Sequence, residues 1–248
     1  MEYESLLKLV KRRRSIRRFK PDSLSDEIID KVIEVARWAP SGFNMQPWEF
    51  VIVRKPELKE KIVELIGDIR PLTKAMETAR EPWMGQVWKM TGLVEKEMDY
   101  TTAPVYIILL GDPRTNAGLP MFIRYDDGLR RMIYMAGLAN AFLYMHLAAA
   151  SLGLASQWIS LTHTGYVQCM IKNILGIPPE LEIFDMIVLG YPAIEPPAKL
   201  MRDKKEMTHF DDCGVADFRN LEEVMEFTKK ARNWNIGAHR RKGEKHED

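Results

Sequence analysis

Two short stretches hold residue types whose spacing could do chemistry. The first is Arg12–Phe19 (RRRSIRRF), a basic cluster around one serine. Binding one phosphate takes two or three cations plus a hydroxyl or amide donor, and arginine supplies bidentate hydrogen bonds to it. Arg13, Arg14, Ser15 and Arg17 would suffice. A solvated charged face, or a nucleic-acid or nuclear-targeting patch, is the competing explanation. Against it, Ser15 and Ile16 interrupt the run, Phe19 ends it, and the whole chain carries a net charge of only +1.

The second stretch is Ala39–Trp48 (APSGFNMQPW). A helix stop followed by a loop accounts for Pro40, Ser41 and Gly42 by itself. It leaves Asn44 and Gln46 over, with Pro47 fixing the entry to whatever follows. A short rigid polar loop can aim amide and hydroxyl donors at one ligand edge, such as that of a nucleobase or an isoalloxazine.

Between the two stretches lies the best-marked helix of the chain. Ser23 and Ser25 are candidate N-caps, and Asp26 and Glu27 fall in the first turn, where the dipole favours acid. Ile28, Ile29, Val32, Ile33, Val35 and Ala36 recur at helical spacing, and Pro40 stops the run. An earlier short helix is expected from Tyr3 to about Val10, and an amphipathic one over Pro56–Ile66. Four apolar runs predict buried strands: Phe50–Val53 entered from Trp48, Pro104–Leu110, Ala155–Leu161 and Ile183–Leu189. A polar loop holding Pro113, Asn116, Gly118 and Pro120 follows the second.

Asp126–Leu152 reads as a long helix that is apolar almost all round, which puts it in the middle of the core or at a subunit interface. The overlapping stretch Met132–Leu154 approaches the length of a membrane span, yet it contains Asn140, His146 and Ser151, so a buried helix is the reading adopted. Gly165–Leu175 is a further helix with Gly176 just past its end, and Asp217–Trp234 a closing one. Strands with helices between and around them predict an α+β or three-layer α/β fold. Ala193–Cys213 is rich in proline and charge and lacks periodicity, as an arm over another surface would be.

Composition excludes several classes. The 248 residues, 46% hydrophobic and 29% charged, are ordinary for a globular protein with a large core. The charge balance gives no field to gather nucleic acid or an anionic membrane. Cys169 and Cys213 fit neither a disulfide framework nor a metal spacing, and a reducing cytoplasm is the expected compartment. The five histidines show no paired spacing, and His146 reads as a satisfied core residue.

Taken together, RRSIRRF at Arg13–Phe19 and APSGFNMQPWEFVIV at Ala39–Val53 resemble the opening motifs of the nitroreductase superfamily of FMN-dependent oxidoreductases. One extra residue precedes Phe19. Gly153–Ser160 (GLASQWIS) and Leu189–Lys199 (LGYPAIEPPAK) resemble two later segments of that family, in the right order. The resemblance implies a three-layer α/β/α sandwich with a mostly antiparallel sheet of four to five strands, in a homodimer with a swapped C-terminal arm. It implies that Arg13, Arg14, Ser15 and Arg17 hold the FMN phosphate and ribityl chain. Pro40, Ser41 and Gly42 would lie along the isoalloxazine, in these proteins usually from the partner subunit, with Asn44 and Gln46 bordering the site. The backbone around Ile159, Ser160 and Leu161 would face the flavin N5 and carbonyl edge. Lys199 or Arg202 would return to the phosphate.

The implied mechanism is ping-pong. NADH or NADPH passes hydride to the flavin and leaves, and a flat oxidised substrate such as a nitroaromatic or quinone takes its place. The flavin supplies the chemistry, so no catalytic acid or base is assigned, and no metal is expected. A reductive dehalogenase like iodotyrosine deiodinase competes. Against it, Glu97 stands near the expected lysine, and Gln157-Trp158-Ile159-Ser160 replaces a threonine-rich segment. The flavin-destroying branch that makes dimethylbenzimidazole ranks last, because Ser15 stands where its motif has Asp. A flavin-binding protein without turnover, or a non-flavin nucleotide sensor, is the alternative from another class. Gly67–Tyr100, with Trp83, Met84 and Trp88 among charges, is the expected lid over the substrate of a single 1–248 domain.

Overall fold

The structure, a computed structural model, describes residues 2–78, 100–195, 199–214 and 218–240. The chain divides into two compact units, one of Met1–Arg70 with Asp99–Glu195 and one of Pro71–Met98 with Pro196–Asp248. Trp83, Met84, Trp88 and Glu97 lie outside the described residues, as does most of the expected lid.

The first unit is built on four strands, β1 (Trp48–Val53), β2 (Val105–Gly111), β3 (Ala155–Ile159) and β4 (Glu182–Gly190). They pair antiparallel throughout, in the order β1-β2-β4-β3. All seven residues of β2 are buried, as an apolar run with no polar alternation requires of a strand covered on both faces. Ile107, Leu109, Ile187 and Leu189 face one core cluster, and Tyr106, Ile108, Leu110, Met186 and Val188 face another. The period of two thus splits each central strand between two layers.

The first cluster is closed by α2 (Asp26–Arg37) and α5 (Asp127–Ser151). The side chain of Ser25, rather than Ser23, accepts the cap bond from the Ile28 amide, and Val32 and Ala36 are fully buried. Asp126 caps α5 through the Leu129 amide at 2.9 Å. Helix α5 is long and apolar enough to cross a membrane, but its Ala141, Met145 and Ala149 are fully buried in this core. Met132 and Leu143 are 60% and 48% exposed, because the sheet and α2 cover one side of the helix.

The second cluster takes residues from α6 (Gly165–Leu175) and from the first turns of α3 (Pro56–Thr78), and also Ile16 and Phe19. Gly176 caps α6 at φ +65°, a left-handed conformation that glycine adopts without cost. Helix α3 outruns the expected Pro56–Ile66 and continues through Gly67 and Pro71. A proline interrupts one backbone bond but does not forbid a helix whose other bonds persist. Helix α1 (Tyr3–Arg12) has no buried residue. The loop after β2 holds a 3-10 turn, Pro113–Gly118, and a short helix, α4 (Met121–Arg124), neither of which the apolar pattern marks.

In the second unit, helix α7 (Leu221–Arg240) begins four residues later than Asp217. Within Ala193–Cys213 the described regular element is a 3-10 turn, Lys204–Met207.

Candidate functional site

The basic segment leaves α1 and runs into the first unit. Ser15 forms a parallel bridge with Ser156 at the start of β3, and the Ile16 amide donates to the Ser156 carbonyl at 3.1 Å. Farther on, Phe19 bridges Pro192, the Lys20 amide donates to the Tyr191 carbonyl at 2.9 Å, and the Ala193 amide donates to the Arg18 carbonyl at 3.1 Å. Ile16 and Phe19 are the buried anchors of this stretch, and the residues between them point outward or half outward. Three of the four motif segments, Arg13–Phe19, Gly153–Ser160 and the start of Leu189–Lys199, are thereby stitched together by backbone bonds.

The arginines are not alike. Arg12 donates to the Ala150 carbonyl at the end of α5, where the unpaired carbonyls of a helix favour a cation. Arg14 folds back onto the Lys11 carbonyl and, at 2.9 Å, the Arg13 carbonyl. Arg13 is half-buried, and burial together with the charge of Arg14 pulls its pKa below the usual arginine value. Arg17 is also half-buried, and burial lowers its pKa likewise. Ser15 is exposed. Arg13 feels the like charge of Arg14, and Arg13 and Arg17 are both partly desolvated, an arrangement that an anion would relieve.

The loop Ala39–Trp48 is held by α5. Asn140 donates to the Pro40 carbonyl at 3.0 Å. A Cβ on Gly137 would lie 3.2 Å from the Ser41 Cβ, and one on Gly42 would lie 2.2 Å from Ile133 Cγ2. The loop is locally strained: Phe43, Asn44 and Gln46 have φ of 53°, 55° and 45°. Such clusters of left-handed non-glycine residues gather at functional sites. The Ser41 hydroxyl accepts from the Gln46 amide at 3.0 Å and closes the turn, while the Gln46 side chain donates to the Asn44 carbonyl at 3.4 Å. Pro40, Asn44 and Gln46 are exposed. Asn140 and Ala150, the points where α5 meets the loop and Arg12, are ten residues apart on the helix, about 15 Å at its rise per residue.

At the end of β3, Ile159 is buried, Ser160 is exposed and Leu161 is half-buried. The expected strand to Leu161 stops at Ile159, and Ser160–His163 forms a 3-10 turn instead. That turn is clamped from behind. Trp158 Nε1 donates to Asp185 Oδ2 at 2.7 Å, and the Thr162 hydroxyl lies 3.0 Å from both Asp185 Oδ1 and the Ile159 carbonyl. His163 Nδ1 lies 3.1 Å from the Phe184 carbonyl. Motif spacing misses Asp185. The one signal for it is a lone charge within the apolar run Ile183–Leu189. Gln157 is nearly buried, and its Oε1 has no hydrogen-bond partner among the described residues.

Lys199 and Arg202 belong to the second unit. Lys199 is exposed. Arg202 is engaged with its own turn: Nη2 donates to the Glu206 carbonyl at 2.8 Å and Nε lies 3.6 Å from the Glu206 carboxylate.

A family model described as the nitroreductase family matches residues 10–191, nearly three quarters of the chain. The chain belongs to the nitroreductase family. Among the relatives of this nitroreductase-family chain is a protein of Archaeoglobus fulgidus named as an NADH dehydrogenase/NAD(P)H nitroreductase. It is 26% identical over 211 residues, which cover 84% of this chain and 92% of that one. Iodotyrosine deiodinase 1 of Rattus norvegicus is 27% identical over 196 residues, 78% of this chain but only 64% of the deiodinase. A crystal structure of oxidized iodotyrosine deiodinase, bound to FMN and 3-iodo-L-tyrosine, superposes with a TM-score of 0.64. The match covers 84% of this chain and all of that one at 22% identity. The nitroreductase fold read from the motifs is the fold observed.

Proposed function

We propose that this protein is an FMN-dependent oxidoreductase that reduces a flat organic substrate, a nitroaromatic, quinone or similar compound, with NADH or NADPH in a ping-pong cycle. The observation that carries the proposal is the docking of the half-buried Arg13–Arg17 segment on the β3 strand that leads into the Ile159–Leu161 turn. In a chain of this family, that pairing supports an anion site beside a flat-ring site.

The residues fit the cofactor. Arg13, Arg14, Ser15 and Arg17 supply charge and donors for a phosphate, and Gln157 Oε1 is an acceptor in want of a donor. FMN, when bound, supplies the hydride-accepting chemistry. The chain's own part is to hold it. Arg13, Arg14, Ser15 and Arg17 would hold the phosphate and ribityl chain, the backbone around Ile159–Leu161 would face the ring edge, and Lys199 or Arg202 would be the candidate for a further phosphate contact. Pro40, Ser41 and Gly42 would lie along the isoalloxazine of the partner subunit's cofactor in a homodimer, with Asn44 and Gln46 bordering the flavin site. The uncovered Met132 and Leu143 of α5 support an interface there. Residues Ala193–Cys213 would form the arm over the partner. Trp83, Met84 and Trp88 would form a lid over the substrate, and a reducing cytoplasm is the compartment in which such an enzyme works.

Reductive dehalogenation of a halogenated aromatic is the second reading, favoured by the deiodinase relatives and opposed by Glu97 and by the absence of a threonine-rich segment at Gln157–Ser160. An anaerobic absorbance scan before and after NADH and NADPH tests the proposal. Flavin bands that bleach with either nicotinamide support it. Bound flavin that neither donor bleaches reduces the protein to a flavin binder or assigns another donor. A colourless protein that cannot be reconstituted with FMN refutes it.

A further inference from the structure

Asp185 is a carboxylate where the fold should have none. It lies on β4, between two buried layers, and is 6% exposed. Burial pushes its pKa up, against the pull of its donors. A buried carboxylate in a strand core generally costs stability relative to an apolar residue of the same size, so its role must lie in what it holds.

It holds the turn that follows β3. One oxygen takes the Trp158 indole at 2.7 Å and the other lies 3.0 Å from the Thr162 hydroxyl. These two donors flank Ile159, Ser160 and Leu161 on either side. A register shift aims the carboxylate: Leu109 pairs with Asp185 but Leu110 pairs with Ile183, so Phe184 is an extra residue in β4. Such bulges re-aim a side chain and are over-represented next to active sites. The bulge serves the turn a second time, because the Phe184 carbonyl is the partner of His163 Nδ1. Trp158 is wedged by rings as well, with Phe142 at 4.7 Å and Phe184 at 6.3 Å between centroids, yet 47% of it stays exposed.

We infer that Asp185 is a positioning residue: it fixes the Trp158–Thr162 turn in the shape that presents the Ile159–Leu161 backbone to the bound flavin ring. The inference rests on the proposed flavin site. Two substitutions separate geometry from charge and from packing. Asp185→Leu keeps the branched shape with somewhat more volume and removes both acceptors. Trp158, half-exposed, can then turn to water, and Thr162 keeps the Ile159 carbonyl. Asp185→Asn keeps an oxygen for Trp158 and offers an amide proton to the Thr162 hydroxyl.

FMN affinity, the visible circular dichroism of bound FMN and the thermal midpoint are measured on wild type and both variants. The expected result is that Asp185→Leu folds with a thermal midpoint no lower than wild type. It binds FMN at least tenfold more weakly and changes the flavin band shape, whereas Asp185→Asn stays within about threefold of wild type with an unchanged spectrum. Wild-type affinity and spectrum in Asp185→Leu would overturn the positioning role. So would an Asp185→Asn variant as impaired as the leucine one, which would assign the effect to charge. Wild type that takes up no FMN would instead remove the flavin reading, and this role with it.

Discussion

Nδ1 of His146 lies 2.8 Å from Oγ of Ser156, and both side chains are buried. The pair ties the C-terminal part of α5 to the second residue of β3, whose backbone receives Ser15 and Ile16. Burial and the nearby Arg13 charge push the His146 pKa down to about 3. The neutral imidazole needs only one proton between its Nδ1 and the hydroxyl, so the bond survives without charge.

That relation sets an acid limit. The unfolded chain binds a proton at His146 below about pH 6.5 and the folded chain does not until about pH 3. Within this window the unfolded state holds more protons, so stability falls as the pH falls, by on the order of 5 kcal/mol over the full range. Asp185 works the other way, because its raised pKa favours the folded state when protonated. Urea unfolding at pH 7, 6, 5 and 4 should show the loss, and His146→Gln should flatten it. An equal slope in the variant would exclude His146 as the cause.

The arginines should discriminate phosphate from ring. Hydrogen bonds to charged groups contribute about 1.5–3 kcal/mol each, so Arg13→Gln should weaken FMN binding by about 10- to 100-fold. Riboflavin, which lacks the phosphate, should bind wild type and variant alike. Equal losses for both ligands, read by fluorescence quenching, would mean that Arg13 acts on the fold and not on the phosphate.

Gly42 has no room for a side chain. Its Cβ would press on Ile133 Cγ2 at 2.2 Å, and overpacking of this kind costs about 1–3 kcal/mol. Gly42→Ala should therefore lower the thermal midpoint, and Gly42→Ala with Ile133→Ala should recover part of it. A double variant no better than the sum of its parts would show that the Gly42 conformation, not the contact, sets the cost.

Tyr134 carries a hydroxyl that is buried without a partner among the described residues, and burial pushes its pKa up. It lines a cavity of about 10 Å³ with Ser41, Gly42, Thr115 and Asn116. An unsatisfied buried hydroxyl costs about 1–3 kcal/mol, so Tyr134→Phe should raise or leave unchanged the unfolding free energy. A loss above about 1 kcal/mol would reveal a bound water as the missing partner.

If Trp83 and Trp88 form a lid, replacing both by Ala should change KM or substrate choice while FMN stays bound. Unchanged steady-state kinetics against a panel of nitroaromatics and quinones would end that assignment.

The principal strands, most of the long helices and the motif segments were legible in the amino-acid order, because they are written locally. The 3.6-residue recurrence from Ile28 to Ala36 and the caps Ser25 and Gly176 need only neighbours along the chain. So do the four apolar runs that became β1 to β4. Tertiary structure alone decided the strand order, the seating of Ser15–Lys20 between Ser156 and Tyr191–Ala193, and the bulge at Phe184 that turns Asp185 toward Trp158 and Thr162. Those are backbone pairings across as many as 170 or so residues, and a hydrogen bond between distant peptides leaves no periodic trace in either segment. The same holds for His146. Its place in an apolar helix marks it as buried, but its partner is chosen by how β3 packs on α5.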